Sequence, residues 1–165
     1  MKTLLILRHA KSGWNDSSLE DRDRPLNARG RRDAPRMGDV LRDESLIPDV
    51  IISSDAVRAQ TTALAVAEAA GYTRDVVIDQ RLYLASPEDL LAVLRVRPDA
   101  DANIVMIVAH NPGLEDLIAQ LTGERHDLPT ATLVQLALSI DTWDALDASI
   151  RATLVDIWRP KELAR

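Results

Sequence analysis

The chain has 165 residues, of which 46% are hydrophobic and 28% charged, and these values are ordinary for a globular protein. Its formal net charge of −6 argues against wholesale binding to nucleic acid or to an anionic membrane. Aromatic residues make up only 3% of the chain, which argues against a stacking platform for single-stranded nucleic acid. Because cysteine is absent, disulfides, thiolate catalysis and cysteine-ligated zinc are excluded.

Length and hydropathy predict a single cytoplasmic domain over residues 1–165. The first apolar run, Thr3–Leu7, is too short for a signal peptide, and no A-x-A-like cleavage site follows it. No apolar stretch approaches the ~20 residues that a membrane-spanning helix needs. We therefore expect neither a membrane anchor nor a nucleic-acid partner.

The N-terminal part begins with a predicted short, buried strand at Thr3–Leu7. A polar, loop-like stretch follows over residues 11–26. Asn27 is suited to cap a helix that begins near Ala28. Pro35 lies inside that helix, and it predicts either a kink or a late start.

A second strand is predicted over residues 50–53. Asp55 is expected to cap an alanine-rich helix that runs from about Ala56 to Ala70. Gly71 is expected to end this helix, because glycine readily adopts the left-handed conformation of a C-cap. A weak third strand follows over residues 76–78.

The third helix has a strong start signal, with Ser86 as its cap and Pro87 at its first position. Residues 104–109 are apolar throughout, as expected for a strand with both faces covered. Asn111-Pro112 then opens a fourth helix.

Two further strands are predicted at the end of the chain, over residues 133–138 and 153–158. Strands that alternate with helices are typical of an α/β protein. We therefore expect a three-layer α/β/α sandwich with a mainly parallel sheet.

Reactive side chains follow three of the predicted strands. The first strand ends at Arg8-His9, the second is followed by Ser54 and Arg58, and the strand 104–109 ends at His110. In open α/β sheets, ligands bind at the carboxyl ends of the strands. Arginine grips oxyanions with a planar fork of donors, and neutral histidine is a nucleophile near neutral pH. The pattern therefore predicts a site for phosphoryl chemistry.

These segments resemble the signatures of the histidine phosphatase superfamily, the phosphoglycerate mutase-like fold. Its Arg-His-Gly signature corresponds to Arg8-His9-Ala10, and its Ser-x-x-x-Arg-Ala-x-x-Thr signature is assigned to Ser54–Thr61. An apolar strand that ends in histidine corresponds to Val108-Ala109-His110. The resemblance covers nearly the whole chain. Four segments resemble the small SixA-type phosphohistidine phosphatases in particular: residues 8–12, 24–30, 82–85 and 110–113.

The resemblance implies a cofactor-independent, metal-free phosphatase. His9 is implied to be the nucleophile that becomes transiently phosphorylated, and His110 to stabilise the phosphoryl group in the transition state. The side chains expected to bind that group are Arg8, Arg24, Arg58, His110 and Asn111. Arginines beside the two histidines would repel a cation, so a metal site is not expected.

Two departures from the family pattern bear on the substrate. Ala10 replaces the usual glycine, and its methyl group requires a negative φ or mild crowding. Residues 79–83 contain no glutamate where many members carry a general acid, and neither Asp79 nor Glu88 matches the motif. An alkoxide leaving group benefits from such an acid, whereas the imidazole of phosphohistidine needs it less. The missing acid therefore favours phosphohistidine as the substrate.

Three functions remain open from the sequence. The favoured one is hydrolysis of phosphohistidine on a protein, for example on a histidine-containing phosphotransfer domain. The alternatives are a general phosphomonoesterase for small phosphorylated metabolites and a non-catalytic phosphate-binding adaptor on the same fold.

Several further residues have no assigned role. The arginine-rich run 29–32 with Arg36 is expected to be a solvated helix face, with recruitment of an acidic partner as the alternative. His126 is expected to be solvated, and Trp14 to pack on the site or form its wall. Lys11 and Ser12 either approach the phosphate or only shape the loop.

Overall fold

The computed structural model describes residues 1–163, so the last two positions of the predicted domain, 164–165, lie outside the description. The strands are β1 Lys2–Arg8, β2 Val50–Ser53, β3 Val77–Ile78, β4 Ile104–Ala109, β5 Leu133–Leu138 and β6 Ala152–Trp158. The helices are α1 Ala28–Asp43, α2 Val57–Ala70, α3 Pro87–Val96 and α4 Gly113–Thr122. Short 3-10 turns cover Asp21–Asp23, Gln80–Leu82, Trp143–Ala145 and Pro160–Glu162.

The strands form one sheet in the order β3-β2-β4-β1-β5-β6. The pairs β3-β2, β2-β4 and β4-β1 are parallel, whereas β5 is antiparallel to both β1 and β6. The prediction of a mainly parallel sheet is therefore confirmed, with an antiparallel extension at one edge.

Alternate side chains of β1 enter two different cores, which confirms the three-layer arrangement. Leu4 and Ile6 join the cluster that contains α3 and α4, and Leu5 and Leu7 join the cluster that contains α1 and α2. Successive residues of a strand point to opposite faces, so helices cover the sheet on both sides.

Two of the predicted helix caps and one helix end are confirmed. The side chain of Asn27 accepts the backbone N–H of Gly30, and that of Ser86 accepts the backbone N–H of Asp89. Gly71 ends α2 in the left-handed conformation. α1 begins at Ala28 and continues through Pro35, so the alternative of a late start is wrong. A proline removes only its own N–H donor, and the turns before it keep theirs.

The prediction that Asp55 caps α2 is wrong. The cap position is Ala56, and the backbone N–H of Ala56 donates to Oγ of Ser54 over 3.2 Å. The Asp55 carboxylate instead pairs with Arg22, 3.3 Å away, in the loop before α1. The start of α2 is thus connected to that loop by a salt bridge.

Within residues 1–163, none of the helices is both long enough and apolar enough to cross a bilayer.

Candidate active site

The carboxyl ends of β1, β4 and β2 meet at one edge of the sheet. Arg8 is the register partner of Ala109, and Ser53 is the partner of Val108, so the residues that follow these strands are neighbours. They open into a cavity of about 240 Å³. Its lining residues are Arg8, His9, Lys11, Ser12, Trp14, Arg24, Arg58, Leu84, His110, Asn111 and Thr130.

His9 presents one free ring nitrogen in this cavity. Its Nδ1 lies 2.8 Å from the carbonyl oxygen of Ala10, and because a carbonyl only accepts, Nδ1 carries the proton and donates. This tautomer leaves a lone pair on Nε2. Burial lowers the pKa of His9 to about 4, and the positive charges of Arg58, Arg8 and Arg24 add to the effect. His9 is therefore a neutral imidazole at pH 7.

Arg8 lines the cavity and carries one buried donor that has no partner within residues 1–163. Its Nη1 donates to the carbonyl oxygen of Leu128 over 2.9 Å, whereas its buried Nε has no hydrogen-bond partner among residues 1–163. Burial lowers the pKa of Arg8, but a guanidinium group keeps its charge in proteins. A buried donor without a partner costs free energy. Arg8 lines the cavity together with His9, so its positive charge acts on an anion bound there.

Arg58 is held in place by Asp21, a residue that sequence reasoning missed. Arg58 Nη1 donates to the backbone carbonyl oxygen of Asp21 over 2.7 Å, and its Nη2 donates to Oδ2 of Asp21 over 2.9 Å. Asp21 also accepts from Arg24 Nη1 over 2.8 Å and from the hydroxyl of Tyr83. Asp21 therefore fixes two guanidinium groups that line the cavity.

The hydrogen bond from Tyr83, together with those from Arg24 and Arg58, holds the pKa of the Asp21 carboxyl well below its usual range. Asp21 is therefore ionised at neutral pH and has no proton to donate. Among the residues that line the cavity, none is a carboxylic acid. Asp79 is buried but accepts from Arg81 and Arg97, and Glu88 is exposed on α3.

His110 packs against His9 with a ring-centroid distance of 5.1 Å. Its Nε2 lies 2.8 Å from Oγ of Ser54, and its Nδ1 lies 3.5 Å from Nη2 of Arg58. Burial, together with the neighbouring His9 and Arg58, lowers the pKa of His110 to about 3. His110 is therefore neutral at pH 7.

Ser54 offers His110 a way to donate to an anion. The Ser54 oxygen accepts the backbone N–H of Ala56, and its own proton is free to be donated to Nε2 of His110. In that tautomer, Nδ1 of His110 carries the proton and is available as a donor. The Ser54 hydroxyl can serve this tautomer by donating to Nε2, and it can equally accept from Nε2 in the other tautomer, in which Nδ1 accepts from Arg58.

Arg24 connects the first loop to the rim of the cavity. Its Nη2 donates to Oγ of Ser12 over 2.5 Å, its Nε donates to the carbonyl oxygen of Gly13 over 3.2 Å, and its guanidinium carbon lies 3.2 Å from the ring centroid of Trp14. Trp14 is 73% exposed and also lines the cavity. Trp14 therefore both stacks on Arg24 and forms part of the wall.

Asn111 lies at the cavity, but its amide donates elsewhere. Nδ2 donates to Oε1 of Glu115 over 2.9 Å and to the carbonyl oxygen of Leu128 over 3.0 Å. Both N–H groups of the Asn111 amide are therefore bonded within the protein, and the amide anchors the segment around Leu128. Phosphate binding by Asn111 stays a prediction. Lys11 is exposed at the rim, and His126 lies outside the cavity.

The threonine of the second signature is Thr62, so the assignment to Ser54–Thr61 is one residue short. The pattern has nine positions, and counting from Ser54 places its last position at Thr62. Thr62 Oγ1 accepts the backbone N–H of Ala10 over 3.0 Å and donates to the carbonyl oxygen of Arg58 over 2.7 Å. Thr62 thus connects the two signatures, whereas Thr61 is exposed.

Ala10 itself is buried and has no positive φ, so its methyl group is tolerated.

Within residues 1–163, no group of three or more histidine, aspartate or glutamate side chains is arranged to hold a metal ion.

Comparison with known proteins identifies the family. A sequence profile of the histidine phosphatase superfamily (branch 1) matches residues 4–83. The chain is 30% identical over 151 residues to an uncharacterized chloroplastic protein of Arabidopsis thaliana, and the match covers 87% of this chain and 69% of the relative. Shorter matches to phosphoglycerate mutases from Mycobacterium leprae and Saccharomyces cerevisiae cover only 26% of those enzymes.

Two solved structures are similar over nearly the whole chain. The protein assigned as phosphohistidine phosphatase SixA from Nakamurella multipartitia has a TM-score of 0.85 and 27% identity, with 96% of each chain covered. The protein assigned likewise from Agrobacterium tumefaciens has a TM-score of 0.82 and 29% identity, with 96% of this chain and 98% of that chain covered. The chain belongs to the histidine phosphatase superfamily (branch 1), and its fold is that of the SixA-type members.

Proposed function

We propose that this protein hydrolyses phosphohistidine on a protein through a covalent intermediate on His9. The observation that carries the proposal is a neutral His9 with a free Nε2, surrounded by Arg8, Arg24 and Arg58 in a cavity whose lining contains no carboxylic acid. This arrangement supplies a nucleophile and positive charge, which are the main requirements of phosphoryl transfer.

In the first step, Nε2 of His9 attacks the phosphorus of the substrate, and the bond between phosphorus and the substrate imidazole breaks. The leaving imidazole carries a proton on its other nitrogen, so it departs neutral without help from an acid. His9 keeps its own proton on Nδ1, bonded to Ala10. Donor and acceptor imidazoles are therefore chemically equivalent, and the step is nearly balanced in free energy.

In the second step, a water oxygen attacks the phosphorus of phospho-His9. The bond from Nε2 to phosphorus breaks and Nε2 regains its lone pair, while inorganic phosphate leaves with the oxygen and both protons of the water. Arg8, Arg58 and the Nδ1 proton of His110 are the donors that we assign to the phosphoryl oxygens in both steps. Arg24 adds positive charge from the rim.

The leaving group supports phosphohistidine over a phosphate ester. An ester departs as an alkoxide and gains from a general acid, but Asp21 is held in its ionised form. The cavity of about 240 Å³ is also smaller than the roughly 300–1,000 Å³ of typical small-molecule sites. It suits a phosphoryl group carried on a side chain of a larger substrate. The similar structures from N. multipartitia and A. tumefaciens are assigned as phosphohistidine phosphatases, in agreement with this substrate.

The test compares turnover of a histidine-phosphorylated phosphotransfer domain with turnover of sugar phosphates. We expect the phosphoprotein to be hydrolysed faster. Radiolabelled phosphate should be trapped on the wild-type protein and on a His126→Ala variant, but not on His9→Ala. His126 is the matched control because the chain has three histidines and His126 is the one outside the cavity.

Two outcomes would contradict the proposal. Faster turnover of the sugar phosphates would make the protein a general phosphomonoesterase. Absence of both turnover and a labelled intermediate would make it a phosphate-binding adaptor.

A further inference from the structure

A second, basic groove lies between the N-terminal half of α1 and the turn Pro160–Glu162. Its volume is about 550 Å³, and the cationic residues that line it are Arg29, Arg32, Arg36 and Lys161. Among the lining residues that belong to 1–163, Asp33 is the single carboxylate, so the formal charges of this part of the basic groove leave an excess of three positive charges. The whole chain has a net charge of −6, so this surface is opposite in sign to the rest of the molecule.

The walls of the basic groove are held together by buried and bridging contacts. Asp33 is 6% exposed and pairs with Arg29 at 3.5 Å and with Arg36 at 3.3 Å. Arg36 also donates to the carbonyl oxygen of Pro160 over 3.1 Å, which connects α1 to the C-terminal turn. The groove is therefore a fixed feature of the fold.

Two of its cations have no partner within residues 1–163. Arg32 and Lys161 are exposed and form neither a hydrogen bond nor an ion pair in this part of the chain. Exposed cations that are not neutralised locally attract an acidic partner over a distance of about one Debye length, ~8 Å at physiological salt. Charge complementarity therefore points to an acidic protein surface.

Both walls are connected to the active site. Arg29 precedes Gly30, whose backbone packs so closely on Lys11 that a Cβ at position 30 would lie 2.2 Å from the Lys11 carbonyl oxygen. Lys11 lines the active-site cavity. On the other wall, Arg159 donates to the carbonyl oxygen of Asp127, and the next residue, Leu128, accepts from Arg8.

We propose that the basic groove docks an acidic segment of the phosphoprotein whose phosphohistidine enters the active site. This inference rests on the proposed function, because a protein substrate is what would reach both places at once. It assigns substrate recognition to α1 and the C-terminal turn, and the chemistry to the cavity at the ends of β1, β2 and β4.

The kinetic test uses the double variant Arg32→Glu/Lys161→Glu, which breaks no contact seen within residues 1–163. The matched control is Arg151→Glu, an exposed arginine that forms no ion pair in that part of the chain and lies at the opposite end of β6 from the groove. The substrates are a phosphotransfer domain with acidic residues around its phosphohistidine, and free phosphohistidine.

We expect the double variant to raise KM for the phosphoprotein by about tenfold without changing kcat, because exposed charges act mainly on encounter and weak binding. Its constants for free phosphohistidine should equal those of the wild type, and the Arg151→Glu variant should match the wild type with both substrates. High salt should raise KM for the phosphoprotein more in the wild type than in the double variant. Equal KM values for the phosphoprotein in the two charge variants would overturn the docking role.

A binding measurement separates this inference from the proposed function. A labelled peptide rich in aspartate and glutamate should bind the wild type and the Arg151→Glu variant, and should lose binding in the double variant. If the wild type fails to hydrolyse any phosphoprotein but shows this binding pattern, the proposed substrate is wrong and the acidic docking surface stands. Equal binding by all three proteins, or by none, would overturn the docking surface itself.

Discussion

Ser54 and His110 are buried polar residues from two neighbouring strand ends, and Oγ of Ser54 lies 2.8 Å from Nε2 of His110. We predict that Ser54→Ala lowers kcat by roughly 10- to 150-fold, the rate equivalent of a charge-assisted hydrogen bond of about 1.5–3 kcal/mol. The reason is that His110 loses the hydroxyl that supports its donor tautomer, and with it the charge-assisted hydrogen bond that we propose from Nδ1 to the phosphoryl group. Steady-state kinetics on phosphohistidine checks the value.

The neighbouring Ser53 provides the control for this prediction. It is equally buried, but its hydroxyl donates to the carbonyl oxygen of Ser54 and does not contact His110. Ser53→Ala should therefore leave kcat within a few-fold of the wild type. An equal loss of kcat in the two variants would mean that packing at the end of β2, and not the tautomer of His110, is what Ser54 provides.

Asp21 is expected to act as a positioning residue for Arg58 and Arg24. We predict that Asp21→Asn lowers kcat/KM by roughly tenfold or more, because two charge-assisted hydrogen bonds are weakened. Tyr83→Phe should have a smaller effect, since the carboxylate keeps both arginines. The measurement is the pH profile of kcat/KM in each variant.

The shape of that profile distinguishes positioning from acid catalysis. The pKa of the Asp21 carboxyl lies well below the usual range, so Asp21 does not titrate near neutral pH. The Asp21→Asn variant should therefore have a lower kcat/KM by the same factor at every pH. A general acid would give a different result. If kcat/KM of the wild type falls at alkaline pH and this fall is missing in Asp21→Asn, Asp21 is a general acid and its positioning role is wrong.

At the scale of elements, alanine substitutions at two glycines of α1 should both lower stability, but only one of them should lower activity. A Cβ at Gly38 would lie 2.5 Å from the carbonyl oxygen of Val66 on α2, and a Cβ at Gly30 would lie 2.2 Å from the carbonyl oxygen of Lys11, in the loop that follows His9. We predict that either alanine substitution lowers the free energy of unfolding by about 1–3 kcal/mol, because the backbone must shift.

The two variants should differ in turnover. Gly38→Ala separates α1 from α2 away from the cavity, so the kcat of its folded fraction should equal that of the wild type. Gly30→Ala displaces the loop that follows His9 and should lower kcat as well. Urea unfolding and kinetics on the same preparations check both values, and an unchanged kcat in Gly30→Ala would contradict the coupling between α1 and the loop.

Local interactions explain which element features were predictable. Asn27 and Ser86 cap helices through bonds to residues three positions later, and Gly71 ends α2 through its own backbone conformation. The role of Asp55 was not predictable in this way, because its partner Arg22 belongs to a distant loop. A propensity for capping does not indicate which tertiary partner competes for the carboxylate.

At the scale of the whole molecule, the positions of His9, Arg58 and His110 could be predicted because each follows a strand, and parallel strands end at the same edge of a sheet. Asp21 could not, since its loop has no periodic pattern and its partners Arg58 and Tyr83 are 37 and 62 residues away in sequence. The tautomer of His9 also required the structure, because the Ala10 carbonyl oxygen decides it.

Burial of two neutral histidines makes the stability of the whole molecule depend on pH. The pKa of His9 is lowered to about 4 and that of His110 to about 3, from an ordinary value of 6.5. At a pH between the lowered pKa and 6.5, each of these histidines binds a proton in the unfolded chain but not in the folded one. The free energy of unfolding therefore falls as the pH falls from about 6.5 towards 4. For His9 the full shift corresponds to roughly 3 kcal/mol.

We predict that urea unfolding shows a falling free energy of unfolding between pH 6.5 and 4.5. In the His9→Gln variant this free energy should fall less steeply with pH, because one proton-binding group is removed. His126→Gln is the control, since it replaces a histidine outside the active-site cavity. The aspartates act in a different window, because the lowered pKa values of Asp21 and Asp79 remove stability only below about pH 4. A wild-type stability that is constant from pH 6.5 to 4.5 would mean that the pKa values of His9 and His110 are not lowered on folding, and burial would then be the wrong account of how these histidines titrate.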